Sequence, residues 1–595
     1  MLFKYANKIN SYIIISSLLM VITAVIFMLN KGYDFSDEGA LLLGYENIDE
    51  YNGGVLNHHL IVHHLFNWLA PNVITYRIIN ILLLTSSSFF LYRGVRNWIN
   101  YKWTNSPNGI NGISLFCLVL LSVFIYYFLG FHTVSYNSFI HVSLVIFTGI
   151  LLEVMTDYNF QHSIKFKNYF LLIFLGFIIG FCFFIKFSTS ILLFFVSISI
   201  LTTFICSKKK YTDILIVIGL ISFGVICFFS LYFQFVQSFR IWQQNFVSEM
   251  SFLSTHRPIT LVLQYVSQIN HFVIFFLKYF SWIILVLLIR FKLKNRSLNF
   301  LVLTFAICFF LFELYYFKFF QSTYAIKPWY NAYLYLCVII YSLLYLGIKF
   351  IMNRGKIANI YLNLDFYIFL LFIVTPLLGA LGTANPIFLN CLWHGTTWIL
   401  LAFYFTYQFY IITKRKILLF LFYILIMITS SQIIDGNLFH PYFSISYNYG
   451  LPNDGFDQKY EIANNRKLRG ILVDKDTKEV VEKLSQIYKV NKFGKKVPTI
   501  GFFMPGLIYA VDGLSPYSYY YFNLPRDAVA IEKSKFDNLV LLVTDAIPIG
   551  EDIKNALHKK GIEYPEDFTL IDSLIYYKQS SYLKVYKLEK NTNEY

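Results

Sequence analysis

Apolar runs of about 18 residues or more recur along the first three quarters of the chain, each long enough to cross lipid hydrocarbon as a helix. In that solvent the backbone must satisfy its own hydrogen bonds, which leaves helices or a closed barrel. A membrane β-barrel would show short alternating segments, and none occur. The pattern therefore predicts a polytopic α-helical membrane protein. Composition agrees: 57% of the 595 residues are hydrophobic and 14% charged, against about a quarter charged in soluble proteins.

The predicted spans are 11–29, 77–92, 113–130, 136–154, 168–185, 188–206, 212–235, 271–289, 300–318, 330–349, 366–382, 394–413 and 416–434. That makes about thirteen transmembrane helices. No small-residue cleavage site follows the first run, so an uncleaved helix is expected there. The formal net charge of +16 raises nucleic-acid binding, but the basic residues sit in short loops between apolar runs. No basic domain interleaved with aromatics exists, so no nucleic-acid partner is expected. The seven cysteines lie in or beside apolar runs without paired spacing, and they predict neither disulfides nor a zinc ribbon.

Charge also predicts orientation. With the N-terminus in the cytoplasm and strict alternation, the inner loops receive Arg93, Arg96 and Lys102, then Lys165 and Lys167, then Lys208, Lys209 and Lys210. Arg290, Lys292, Lys294, Arg296, Lys349, Arg354, Lys356, Lys414, Arg415 and Lys416 follow on the same side. This satisfies the positive-inside rule. An odd number of spans then places residues 435–595 outside the cytoplasm. Charge, Gly and Pro return in that tail. Residues 477–490 repeat apolar positions at helical spacing (Val480, Val481, Leu484, Ile487, Tyr488), and 551–560 reads as a second helix. The runs 498–503 and 538–543 read as buried strands, and 582–588 as an edge strand. The expected organisation is a membrane domain over 1–434, with 31–76 as its first outer loop, and a C-terminal extracytoplasmic α/β domain over 435–595.

The densest polar constellation lies in that first loop. Asp34, Asp37 and Glu38 follow the first span, and Ser36 could cap a helix starting at Asp37. Such acids are either solvated helix-cap residues or a general base or metal-binding acid at the membrane surface. Further on, Leu56, Leu60, Ile61, Leu65, Trp68 and Leu69 form an apolar stripe suited to an interfacial helix. His58, His59, His63 and His64 ride beside it. His59 and His63 stand one turn apart and could chelate a divalent metal ion; otherwise these rings hydrogen-bond or line a substrate.

An acidic pair after the first helix, an interfacial segment with His and Pro, and Tyr76–Arg77 opening the second helix resemble the GT-C glycosyltransferases. The protein O-mannosyltransferases and lipid A aminoarabinose transferases are the nearer likeness. LGFHTVSYNSF (129–139) and GFIIGFCFFIKFSTSILLF (176–194) add to it. The resemblance implies a GT-C-like fold in a bacterial inner (cytoplasmic) membrane. It also implies transfer of a sugar from a polyprenyl-phosphate donor to an outer glycan, lipid or protein acceptor, among membrane lipids. By that analogy Asp37 is the base, Glu38 its neighbour and Asp34 its rival.

A lipid-phosphate donor also needs cations at the headgroup depth. Lys186, inside an apolar run, is the sharpest candidate, with snorkelling as its plainer role. Arg240, Arg257, His58, His59 and His394 are further phosphate- or substrate-binding candidates. Two other readings stand beside this one: an oligosaccharide ligase or polymerase of the same type, and a transporter or lipid flippase, which would carry broken helices and midplane charges.

Overall fold

The computed structural model describes residues 2–589 apart from 52–56, 103–109, 162, 251–257, 284–285, 287–304, 306–307, 321–329, 353–362, 384, 414–415, 442–453, 519, 536–537 and 577–580. Among the described residues ten helices are long and apolar enough to cross a membrane. They are Ile9–Phe27, Val73–Lys102, Gly112–Leu129, Tyr136–Gln161, Phe166–Ile185, Phe187–Ser207, Thr212–Phe235, Ile259–Phe280, Tyr330–Gly347 and Leu418–Leu438. The chain is thus an integral membrane protein of helical build.

Three expected spans differ. Residues 394–413 form the helix Thr396–Thr413, but the expected outer loop before it contains a further helix, Ile387–Trp393, which meets it at 75°. The segment predicted at 271–289 begins earlier, because Pro258 opens its helix at a position where the missing N–H costs nothing. The helix Leu364–Ala380 is short, at 17 residues. Of the expected span 300–318, residues 300–304 and 306–307 lie outside the described residues.

Glycines set the closest helix crossings. A Cβ on Gly94 would lie 2.4 Å from the Gly149 carbonyl oxygen, and one on Gly176 2.0 Å from that of Ile221. Small residues let backbones approach where no hydrophobic effect drives helices together. The helix Tyr136–Gln161 is buried along almost its whole length at the centre of the bundle.

The bundle has two chemically distinct ends. At one, Glu153 accepts from Arg93 at 2.9 Å and Lys167 at 3.2 Å, while Lys102 meets Asp365 at 2.5 Å. At the other lie the first loop, the turns at 130–135 and 184–188, and the broken helix near 394.

The tail is a small α/β unit packed on this second end. β1 (Tyr460–Glu461) and β2 (Leu472–Val473) pair antiparallel, and a second sheet runs β3 (Thr499–Gly501), β4 (Val540–Thr544), β6 (Ser581–Leu588), β5 (Phe568–Tyr576). β3 and β4 pair parallel and the remaining pairs are antiparallel. β6 was expected at an edge but is interior, because β5, which the sequence pattern did not reveal, pairs on its far side. The helix Lys475–Val490 buries Val480, Val481, Leu484, Ile487 and Tyr488. β4 is apolar on both faces: Val540 and Leu542 join the main core, Leu541 and Val543 a second one.

The tail and the first loop share backbone hydrogen bonds. Gly32 N–H donates to Leu472 O at 2.7 Å, Leu472 N–H to Asn30 O at 2.7 Å, and Gly506 N–H to Phe35 O at 2.7 Å. A Cβ on Gly39 would fall 2.2 Å from the Gly506 Cα, so two glycines are needed where the chains meet. Tyr51 Oη donates to Ser515 O at 2.6 Å, and Lys467 pairs with Glu46.

Candidate functional site

The three acids of the first loop have different surroundings. The helix Asp37–Glu46 does begin after Ser36, but the Ser36 side chain does not cap it. Asp34 does so instead. Its carboxylate accepts the N–H groups of Ser36 and Glu38 at 3.1 Å each, and the Ser36 hydroxyl at 3.0 Å. The aspartate reaches orphan helix donors that a shorter serine side chain leaves unmet.

Glu38 is held harder still. Arg77 grips it with two parallel bonds, Nε to Oε1 at 2.9 Å and Nη2 to Oε2 at 2.7 Å, and Thr133 donates to Oε1 as well. Arg77 is 2% exposed. Its other N–H groups meet the carbonyls of Leu29 (3.1 Å), Lys31 (2.9 Å) and Gly32 (2.8 Å), where the first helix runs out. The pair thus ties the end of the first span to the start of the second. A carboxylate so saturated is poorly placed to take a proton from a substrate.

Asp37 is the exposed one of the three. Across from it stands Tyr520 of the tail. Its phenol is pushed up by burial and by the nearby charges of Asp37 and Asp34, and it shares a hydrogen bond with the Ser36 side chain. Tyr520 stacks on Phe522 (4.0 Å between centroids, 25°), and the Arg526 guanidinium lies 4.3 Å over the other aromatic ring centre of that stack, Phe522.

The histidines serve other ends than the expected chelate. His59 Nε2 bonds Tyr51 O at 2.7 Å and His63 Nδ1 bonds Tyr45 O at 2.7 Å, so both rings staple the loop backbone. Among the described residues no group of three His, Cys, Asp or Glu side chains is arranged to hold a metal ion. His58 is buried near Tyr45 and Tyr136. Burial pushes His58 down to about 3 and His59 to about 4, which leaves both rings neutral.

Lys186 and His394 come together. Lys186 sits at the break between Phe166–Ile185 and Phe187–Ser207, is 8% exposed, and donates from Nζ to Gly379 O at 2.5 Å. His394 sits at the 75° break and presses on the same glycine, where a Cβ would lie 2.4 Å from its Cδ2. Its Nδ1 is buried without a hydrogen-bond partner, and His141 stacks on it at 6.0 Å. The first loop reaches this region from the far end of its helices: Asn57 N–H donates to Phe184 O at 2.9 Å. Arg240 is exposed on Phe239–Met250, whose Trp242 packs 6.0 Å from Phe183, and Arg257 lies outside the described residues.

No protein-family model, no curated protein and no solved structure matches this chain.

The site therefore rests on its own geometry. It offers two groupings: an exposed carboxylate facing an aromatic wall, and, at two helix breaks, a buried cation near an imidazole whose Nδ1 has no hydrogen-bond partner among the described residues. The tail residues Tyr520, Phe522 and Arg526 were not anticipated. Their signal was the aromatic run SPYSYYYFN (515–523) in an otherwise polar segment.

Proposed function

We propose that the chain is a membrane glycosyltransferase that moves a sugar from a polyprenyl-phosphate donor to an acceptor hydroxyl. Asp37 takes the acceptor's proton, the freed oxygen attacks the anomeric carbon, and the bond from that carbon to the phosphate oxygen breaks. Lys186, with His394 beside it, receives the phosphate charge as the lipid phosphate leaves. The observation that carries this reading is the contrast in the first loop: Asp34 and Glu38 are buried, the one as a helix cap and the other in an ion pair, while Asp37 is exposed beside Tyr520. About thirteen spans, a cytoplasmic N-terminus and an extracytoplasmic tail in a bacterial inner membrane belong to the same proposal, and the loop charges support that orientation.

The test is Asp37→Asn. Loss of a general base removes roughly 10²–10⁴-fold in rate, so mass spectrometry of envelope glycans should lose the product while the protein still inserts. Wild-type turnover by that variant defeats the assignment.

A second reading, transport or lipid flipping, draws on one observation. Helix breaks at Lys186 and at His394 gather around Gly379, and discontinuous helices lining a polar site are a transporter feature. An unchanged glycan profile beside altered solute uptake in a strain lacking the chain would favour it.

A further inference from the structure

Two bulky aromatics of the tail adopt left-handed backbone conformations, Phe503 at φ 59° and Tyr517 at φ 60°, with Asn523 at φ 58° close by. Each such residue costs about 1–2 kcal/mol without a glycine, and strained positions persist where the surroundings over-determine them. These three bracket one structure. Phe503 stands edge-on to Tyr520 (6.3 Å, 87°) and to Phe522 (5.6 Å, 90°), while Tyr520 and Phe522 stack. Arg526, 45% exposed at its side chain, places its guanidinium 4.3 Å over the Phe522 ring centre. The wall is fixed to the first loop on both flanks, by Gly506 on Phe35 and by the Tyr517 N–H donating to Glu50 at 3.0 Å.

We propose that this wall is the acceptor subsite and that its ligand is a carbohydrate, an inference that rests on the transferase reading above. A pyranose offers an apolar C–H face and a rim of hydroxyls. Partly exposed Phe503 and Phe522 suit the face. The Arg526 guanidinium, over the Phe522 ring and with Nε 3.8 Å from Asp527, has its terminal N–H donors for the rim. Asp37 then meets one hydroxyl of the same sugar, the nucleophile. A lipid acceptor would call for a long apolar groove in place of rings interleaved with a guanidinium and carboxylates. The tail is by this argument part of the site, and the acceptor is a glycan end.

The experiment uses the full-length protein in detergent micelles. The probe is the oligosaccharide mixture released from the host's envelope by mild acid, followed by saturation-transfer NMR. Wild type and Asp37→Asn should both transfer saturation to sugar ring protons, and Phe522→Ala and Arg526→Ala should weaken binding at least about tenfold. Arg526 is exposed, so its variant keeps the test open if Phe522→Ala melts early. No saturation transfer to wild type, or equal binding by both variants, overturns the subsite. Sugar binding without any turnover of a lipid-phosphate sugar would leave the subsite standing and remove the transferase reading. Turnover with an unchanged acceptor KM in both variants would do the reverse.

Discussion

Arg77 has no donor to spare for a ligand: its N–H groups divide between one carboxylate and the last carbonyls of the first helix. Replacing it by methionine leaves Glu38 buried without its counter-charge, a change that costs about 3–5 kcal/mol. Arg77→Met should therefore abolish recovery of folded protein in detergent, while Asp37→Asn melts like the wild type. Three imidazoles add a pH dependence. Burial pushes His58 and His132 down to about 3 and His59 to about 4. The unfolded chain then binds more protons than the native one between those values and the ordinary 6.5. Stability is full above that ordinary value and falls as pH drops through the window, by about 1.4 kcal/mol per unit for each ring. Thermal unfolding at pH 7 and pH 5 should show the lower melting temperature at pH 5; a flat profile would mean these rings are hydrated. The sequence made the acidic trio visible, but not which member faces out. That choice depends on Thr133 and Arg77, which are remote along the chain, and on a cap supplied from Asp34 instead of Ser36.

Among the elements, the helix Asp37–Glu46 meets Pro505–Ala510 glycine against glycine, at Gly39 and Gly506. Gly506→Val would drive a side chain into the Phe35 backbone, and overpacking of this kind costs about 1–3 kcal/mol. The variant should insert normally yet lose its tail to limited proteolysis sooner, with transfer falling in parallel. Unchanged protease resistance would show that the joint can relax. Hydropathy identified most spans because an 18-residue apolar run has few alternatives in lipid. It is blind to short helices, so Ile387–Trp393, before the turn at His394–Gly395, is missing from the expected spans. Likewise the strand Phe568–Tyr576 was hidden by its exposed polar positions, and its absence made its neighbour look like an edge.

For the whole molecule, the ion pairs of Glu153 and Asp365 mark one end and the acidic loop the other. In a background with Cys206 and Cys308 changed to Ser, cysteine at Lys554 should react with a membrane-impermeant maleimide in intact cells, and cysteine at Lys210 should not. The opposite pattern would put Asp37 in the cytoplasm. The pairing of Lys31 with Leu472, and of Phe35 with Gly506, has a consequence for biogenesis. The loop bearing the carboxylates leaves the ribosome early, and its backbone partners emerge only when most of the chain has been made, tens of seconds later at ordinary translation speed. A nascent or truncated polypeptide holds all the acids yet has no wall opposite them. On the transferase reading, competence therefore arrives in one step, when the tail docks, and a copy without it in the bilayer stays inert.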